Sequence, residues 1–205
     1  MNKLTGFICL AILTLGCGSA ESDIHFPFES WGWEDSVQRV IPDDFLSLSS
    51  IEVGTSTLED VRERFGPAVE FRRGNESYSP SLICYLADTD DTAVIFQSGP
   101  LGGWSVVTAI WIGHSHHIDV ANCTASSKVG REKASIHGVF PGSSFSTIEL
   151  NLGMPTYRKL PYIAYRFQDQ DVSSSDGPFD ITSGLELELK NDRVAWFRVY
   201  RQASN

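Results

Sequence analysis

Two short stretches of this chain carry apolar residues at helical spacing. Leu58, Val61 and Phe65 fall three and four residues apart, and Phe145, Ile148 and Leu152 repeat the interval. On a helix each trio stacks along one face, and Glu59, Arg62, Glu63 and Arg64 of the first stretch point outward. Ser56 with Glu59, and Ser146 with Glu149, have the spacing of a capping box, in which a hydroxyl and a carboxylate satisfy free amide groups at a helix start. Gly66 and Gly153 stand where a helix closes on a left-handed residue, and Pro67 and Pro155 prevent continuation. Each stretch is therefore expected to form a short capped helix.

After each helix the period changes to two. "LICYLAD", "TAVIFQS" and "VVTAIWIGH" follow the first helix, and "IAYRFQD", "LELELK" and "RVAWFRVYR" follow the second. These runs read as strands. Asn191-Asp192 between two alternating runs predicts a two-residue hairpin, and the corresponding connection in the first half is the longer "GPLGG". The recurrence predicts an α+β chain of two tandem units, each a helix (or helix pair) packed on an antiparallel sheet of three to four strands. Residues 44–117 form the first unit, 118–137 a connector and 138–205 the second. A unit of this size has a marginal core alone, so the two are expected to share a core or pair their sheets.

Alternation in the last strand of each unit also sorts the sheet faces. It turns Thr108, Ile110 and Ile112 toward the first helix and Val107, Ala109 and Trp111 away. In the second unit it turns Ala195, Phe197 and Val199 inward and leaves Val194, Trp196, Arg198 and Tyr200 on the opposite face. Glu186 and Glu188 join that face, since Leu185, Leu187 and Leu189 alternate with them. Trp111, Glu186, Glu188, Trp196, Arg198 and Tyr200 together have the composition of a protein-binding hot spot. The alternative is a covered face, with the two sheets or an upstream aromatic segment lying over it and Trp111 and Trp196 in the core.

The amino terminus, "MNKLTGFICLAILTLGCGS", changes the picture of where such a module works. Lys3 precedes an apolar run from Leu4 to Leu15 that is too short to span a bilayer and ends in small residues, as a secretory signal does. Thr14-Leu15-Gly16-Cys17 resembles the lipobox of bacterial lipoproteins, so residues 1–16 read as a signal peptide and Cys17 as the acylated, palmitate-bearing first residue of the exported chain. Cleavage near Ala20, giving a secreted or periplasmic soluble protein, is the alternative. Gly18 in place of an aspartate favours, by resemblance to sorting rules, the periplasmic face of the outer membrane. Residues 17–43 read as a tether, with Phe26, Phe28, Trp31 and Trp33 expected to dock on the body. The formal net charge of −10, from 16 basic and 26 acidic residues, argues against a nucleic-acid partner. Cys9 lies in the signal and Cys17 at its end, which leaves Cys84 and Cys123 for one disulfide, two buried thiols being the alternative.

Candidate chemistry is sparse. His114, His116 and His117 in "GHSHHID" could ligate zinc or copper, but the aspartate of a hydrolase metal motif falls one place late, at Asp119; a solvated loop at a strand end is the competing reading. Ser143 and Ser144 lack a nucleophile elbow. Asp88 to Asp91 lacks the glycine and terminal glutamate of a calcium loop and reads as a turn between strands. Gln168 to Asp180 reads as a polar loop. No catalytic residue, resident metal or cofactor is expected.

The order of glycine, short polar turn, capped helix, apolar-Gly, proline and meandering strands, over about residues 50–113 and 138–201, resembles the BamE/SmpA outer-membrane lipoproteins and the tandem-unit β-lactamase-inhibitor proteins. The resemblance implies a lipid-anchored envelope module that binds other envelope proteins, as an accessory of outer-membrane protein assembly. Inhibition of a hydrolase, or metal binding at the histidines, are the alternatives.

Overall fold

The computed structural model describes residues 44–72, 79–99, 105–117, 120–171 and 179–204. The signal peptide, Cys17, the aromatic tether, Asp119, most of the "GPLGG" connection and residues 172–178 lie outside the described residues. The chain forms β1 (Ser47–Leu48), β2 (Ile51–Glu52), α1 (Leu58–Phe65), β3 (Glu70–Arg72), β4 (Ser81–Ala87), β5 (Thr92–Ser98), β6 (Val107–His114), β7 (Thr124–Ser126), α2 (Phe145–Leu152), β8 (Tyr157–Lys159), β9 (Tyr162–Asp171), β10 (Phe179–Lys190) and β11 (Arg193–Ser204). β1 and β2 pair with each other in a two-stranded sheet of their own among the described residues.

All the other strands belong to one sheet. Its order is β3-β4-β5-β6-β11-β10-β9-β8, antiparallel throughout, with β7 added parallel to β4. This overturns the expected α+β class of two tandem helix-on-sheet units. Strand accounts for 50% of the structure and helix for 14%, so the fold is largely β. The physical reason lies at β6 and β11. Each is the last strand of its half, and an unpaired edge would leave backbone donors and acceptors exposed. Pairing from Trp196 with Gly113 to Tyr200 with Ala109 satisfies both edges at once and merges the halves.

The helices lie on one face of this sheet. Leu58, Val61 and Phe65 of α1, and Phe145 and Ile148 of α2, are buried in one continuous core with Ile83, Tyr85, Phe96, Ile110, Ile112, Leu185, Leu187, Phe197 and Val199. Leu152 is only partly buried against that core. The caps differ from those expected. Thr57, not Ser56, caps α1, exchanging bonds with Asp60 in a capping box, and Ser144, not Ser146, caps α2 by accepting from the Thr147 amide. Ser56 is occupied elsewhere, since its hydroxyl accepts from the Glu52 amide at 2.9 Å. Gly66 and Gly153 close the helices at φ of 107° and 75°. Their carbonyls accept from Tyr85 Oη at 2.6 Å and Tyr165 Oη at 3.0 Å, tying each helix end to the sheet beneath it.

Two β-bulges correct the predicted faces. Ser98 pairs with Val107 but Gln97 with Ala109, so Thr108 is an extra residue; Leu189 pairs with Val194 but Glu188 with Trp196, so Ala195 is another. An extra residue reverses the alternation on its near side. Val107 and Val194 are thereby turned into the helix-side core, while Ala195 joins the opposite face. Each re-aimed valine receives the approach to a helix. Gly54 donates to the Val107 carbonyl, and Gly142 to the Val194 carbonyl, both at 2.8 Å. Asn191 and Asp192 form the predicted hairpin turn, at φ of 53° and 60°.

Cys84 and Cys123 form a disulfide across a sequence separation of 39. Closing a loop of that length removes denatured-state freedom equivalent to about 4 kcal/mol at most. The Cys84→Ala, Cys123→Ala double variant is expected to lose about 2–4 kcal/mol in a urea titration, with no change in its strand content by circular dichroism.

Candidate functional site

The sheet face away from the helices carries Trp111, Glu186, Glu188, Trp196, Arg198 and Tyr200, and the register sets them in three rows. The first row runs Gln97, Ala109, Tyr200, Gly184, Arg166. The second runs Ile95, Trp111, Arg198, Glu186, Ala164, Tyr157. The third runs Ala93, Gly113, Trp196, Glu188, Tyr162. Small residues sit directly opposite large ones, so that Gly113 makes room for Trp196, and Ala109 and Gly184 make room for Tyr200. A Cβ built on Gly184 would lie 2.8 Å from the Tyr165 carbonyl oxygen and 2.9 Å from Tyr200 Oη.

Within this frame the polar ends find partners. Trp111 and Trp196 lie diagonally, their ring centroids 5.7 Å apart. Trp111 Nε1 donates to Gln97 Oε1 at 3.0 Å, and Trp196 Nε1 donates to Glu188 Oε2 at 2.6 Å. The Arg198 guanidinium stands 4.8 Å from the Trp111 ring centroid and 5.0 Å from that of Tyr200, and its Nε donates to Glu186 Oε2. Arginine suits this position because its planar fork can stack on rings while it bonds a carboxylate. Burial, followed by the neighbouring Glu186 charge, pushes the Tyr200 phenol well above its ordinary range, so it stays protonated.

The face is not open. Trp111 is 7% exposed, Trp196 6%, Tyr200 9% and Glu186 2%, which is the covered arrangement and not the bare hot spot. Of the six residues singled out from sequence, Arg198 and Glu188 keep partial exposure. Val120 and Cys123 of the segment after β6 pack on the same face, together with Phe71, Leu86, Tyr157 and Tyr162. Gln97, Gly113 and Gly184 are parts of the cluster that sequence reasoning missed. The available signal was the pair of small residues, Ala109 and Gly113, that flank Trp111 at period two and leave space for large neighbours on the next strand.

The three histidines gather at another place, the end of β6. His114 ends that strand, and Ser115–His117 make a single 3₁₀ turn. Asp91, in the turn between β4 and β5, lies 2.9 Å from His114 Nδ1 and 3.7 Å from His116 Nδ1. Among the described residues, no group of three or more His, Cys, Asp or Glu side chains is arranged to hold a metal ion. Asp90, beside Asp91, accepts from the Thr92 and Arg131 amides at 2.9 Å each. The acidic run therefore serves as a strand-connecting turn that pins neighbouring backbone.

No protein-family model matches the chain, and no curated protein or solved structure matches it. The BamE/SmpA resemblance thus rests on the motif residues alone.

Two substitutions probe the cluster. Arg198→Ala strands a carboxylate that is 2% exposed and is expected to cost about 3–5 kcal/mol, while the double variant Arg198→Ala, Glu186→Leu recovers most of that loss in chemical denaturation. Gly184→Ala, which drives a methyl against backbone, is expected to cost about 1–3 kcal/mol and to change near-ultraviolet circular dichroism through Tyr200.

Proposed function

We propose that the chain is an exported, lipid-anchored interaction module that works by binding an envelope protein and performs no chemistry of its own. The observation that carries this reading is the second sheet face, whose aromatic members are buried while Arg198 and Glu188 keep partial exposure at its surface. It concentrates two tryptophans, a tyrosine and an arginine–carboxylate pair on adjacent strands, and each of the polar ends is held by a neighbour. Rigid aromatic and arginine anchors are the residue types that dominate protein interfaces, because little side-chain freedom remains to be lost on association. The partly exposed Arg198 and Glu188 are the groups a partner reaches first. The Cys84–Cys123 disulfide supports an oxidising compartment and hence export.

In this reading Cys17 carries the lipid and residues 17–43 carry the body away from the membrane. The partner is a component of outer-membrane protein assembly; a hydrolase held in an inhibited state is the second candidate.

Affinity capture with the full acylated chain from detergent-solubilised envelope tests the proposal. A partner is expected to be retained by the native protein and reduced at least tenfold by Arg198→Lys, which keeps the charge opposite Glu186 but loses the planar stack over Trp111 and Tyr200. Equal recovery with an unaltered melting midpoint removes the face from the reading. Mass spectrometry that finds an unmodified amino terminus downstream of Cys17 removes the anchor.

A further inference from the structure

The second sheet face is buried more deeply than the described residues around it explain. The rings of Trp111, Trp196 and Tyr200 are buried, and so are Ala164 and Ala195. A large ring on an uncovered sheet face keeps one side to solvent, so burial this complete needs atoms lying over it. Phe71, Leu86, Tyr157 and Tyr162, which pack on this cluster, belong to the strands themselves. Among the described residues, the apolar side chains packed on it from outside the strands are Val120 and Cys123.

Comparison of the two halves locates the part still needing a cover. Tyr85 donates to the Gly66 carbonyl and Tyr165 to the Gly153 carbonyl, which makes β4 and β9 equivalent strands. Immediately before these tyrosines stand Cys84 and Ala164, both on the second face. Cys84 is covered by Cys123 through the disulfide. Ala164 is 1% exposed, yet no described residue from outside the sheet plays the part of Cys123 over it.

Position, length, pattern and charge select the chain upstream of residue 44. The Phe45 ring is buried 4.8 Å from that of Phe167, so this upstream chain starts out beside β9. From Phe45 back to Trp33 an extended chain reaches about 40 Å, against about 15 Å across the sheet from β9 to β6. Phe26 and Phe28 are two residues apart, as are Trp31 and Trp33, so an extended chain turns both rings of a pair to one side. Residues 17–43 contain six acidic residues and one arginine, while Arg166 and Arg198 keep partial exposure on the face.

We propose that the segment carrying Phe26, Phe28, Trp31 and Trp33 docks on the β9–β11 side of the second face of its own chain, rings inward. The face then has covers of two kinds, a covalent one over β4 and a displaceable one over β9–β11. A partner that uses the face has to displace these four rings first. The docking itself requires neither a partner nor an acyl group.

Hydroxyl-radical footprinting of the full chain, read by mass spectrometry, tests it. Trp31 and Trp33 are expected to be labelled about threefold or more slowly than in an isotope-marked free peptide of residues 21–38 in the same solution. Replacing Phe26, Phe28, Trp31 and Trp33 together by alanine is expected to raise labelling of Trp111 and Trp196 about threefold, while Tyr85 and Phe197 on the helix side keep their protection. Equal labelling of chain and peptide overturns the docking, as does a variant in which Trp111 and Trp196 stay protected. Shielding that disappears on about tenfold dilution assigns the cover to a second copy and also overturns it. Should the variant lose its helix-side protection, a nitroxide on Ser30→Cys decides instead: broadening of the Trp196 indole resonance supports the docking, and a sharp resonance overturns it.

Discussion

The antiparallel pairing of β6 with β11 is the constraint on which the remainder of the molecule depends. It joins two runs of strands, neither wide enough to enclose a core beneath a single eight-residue helix, into one sheet that both helices share. On the helix side the result is one continuous apolar cluster that includes residues of both halves. On the other side the same pairing sets Arg198 beside Trp111 and Gly113 beside Trp196, so the polar and aromatic cluster exists only because these two strands are neighbours.

That cluster departs from an apolar face in an instructive way. Glu186 is as buried as the core leucines, which ordinarily carries a heavy desolvation cost for a carboxylate. Arg198 offsets the charge and uses Trp111 and Tyr200 as platforms, while Glu188 and Gln97 accept from the two indoles. Every member therefore has a specific neighbour, and a hydrophobic replacement would pack without demanding this geometry. The arrangement trades stability for definition.

The bulges at Thr108 and Ala195 connect this face to the helices. Each supplies an extra residue at the start of the strand that leads into the cluster, and each turns a valine under the approach to a helix. In both halves the backbone bonds from Gly54 and Gly142 then reach that valine, and the glycines take φ of 95° and 89° to do so. Helix position and the register of the aromatic face are consequently set together.

Much of the local structure was legible in the chain itself. The apolar trios at Leu58 and Phe145, the period-two runs, the Asn191-Asp192 turn and the Cys84–Cys123 pair all depend on residues near in sequence or on a shortage of alternatives, and local sterics and chemistry decide such features. Glu186, Trp196, Arg198 and Tyr200 were placed on their correct face for the same reason, because alternation survives wherever no residue is inserted. The caps were misplaced by one and two residues, a choice settled by which hydroxyl the folded backbone had free. Which strand edges meet, β6 with β11, and where the two bulges fall were decided by tertiary structure alone. Edge pairing is an interaction of backbone groups that all residues share, so side-chain pattern does not encode it.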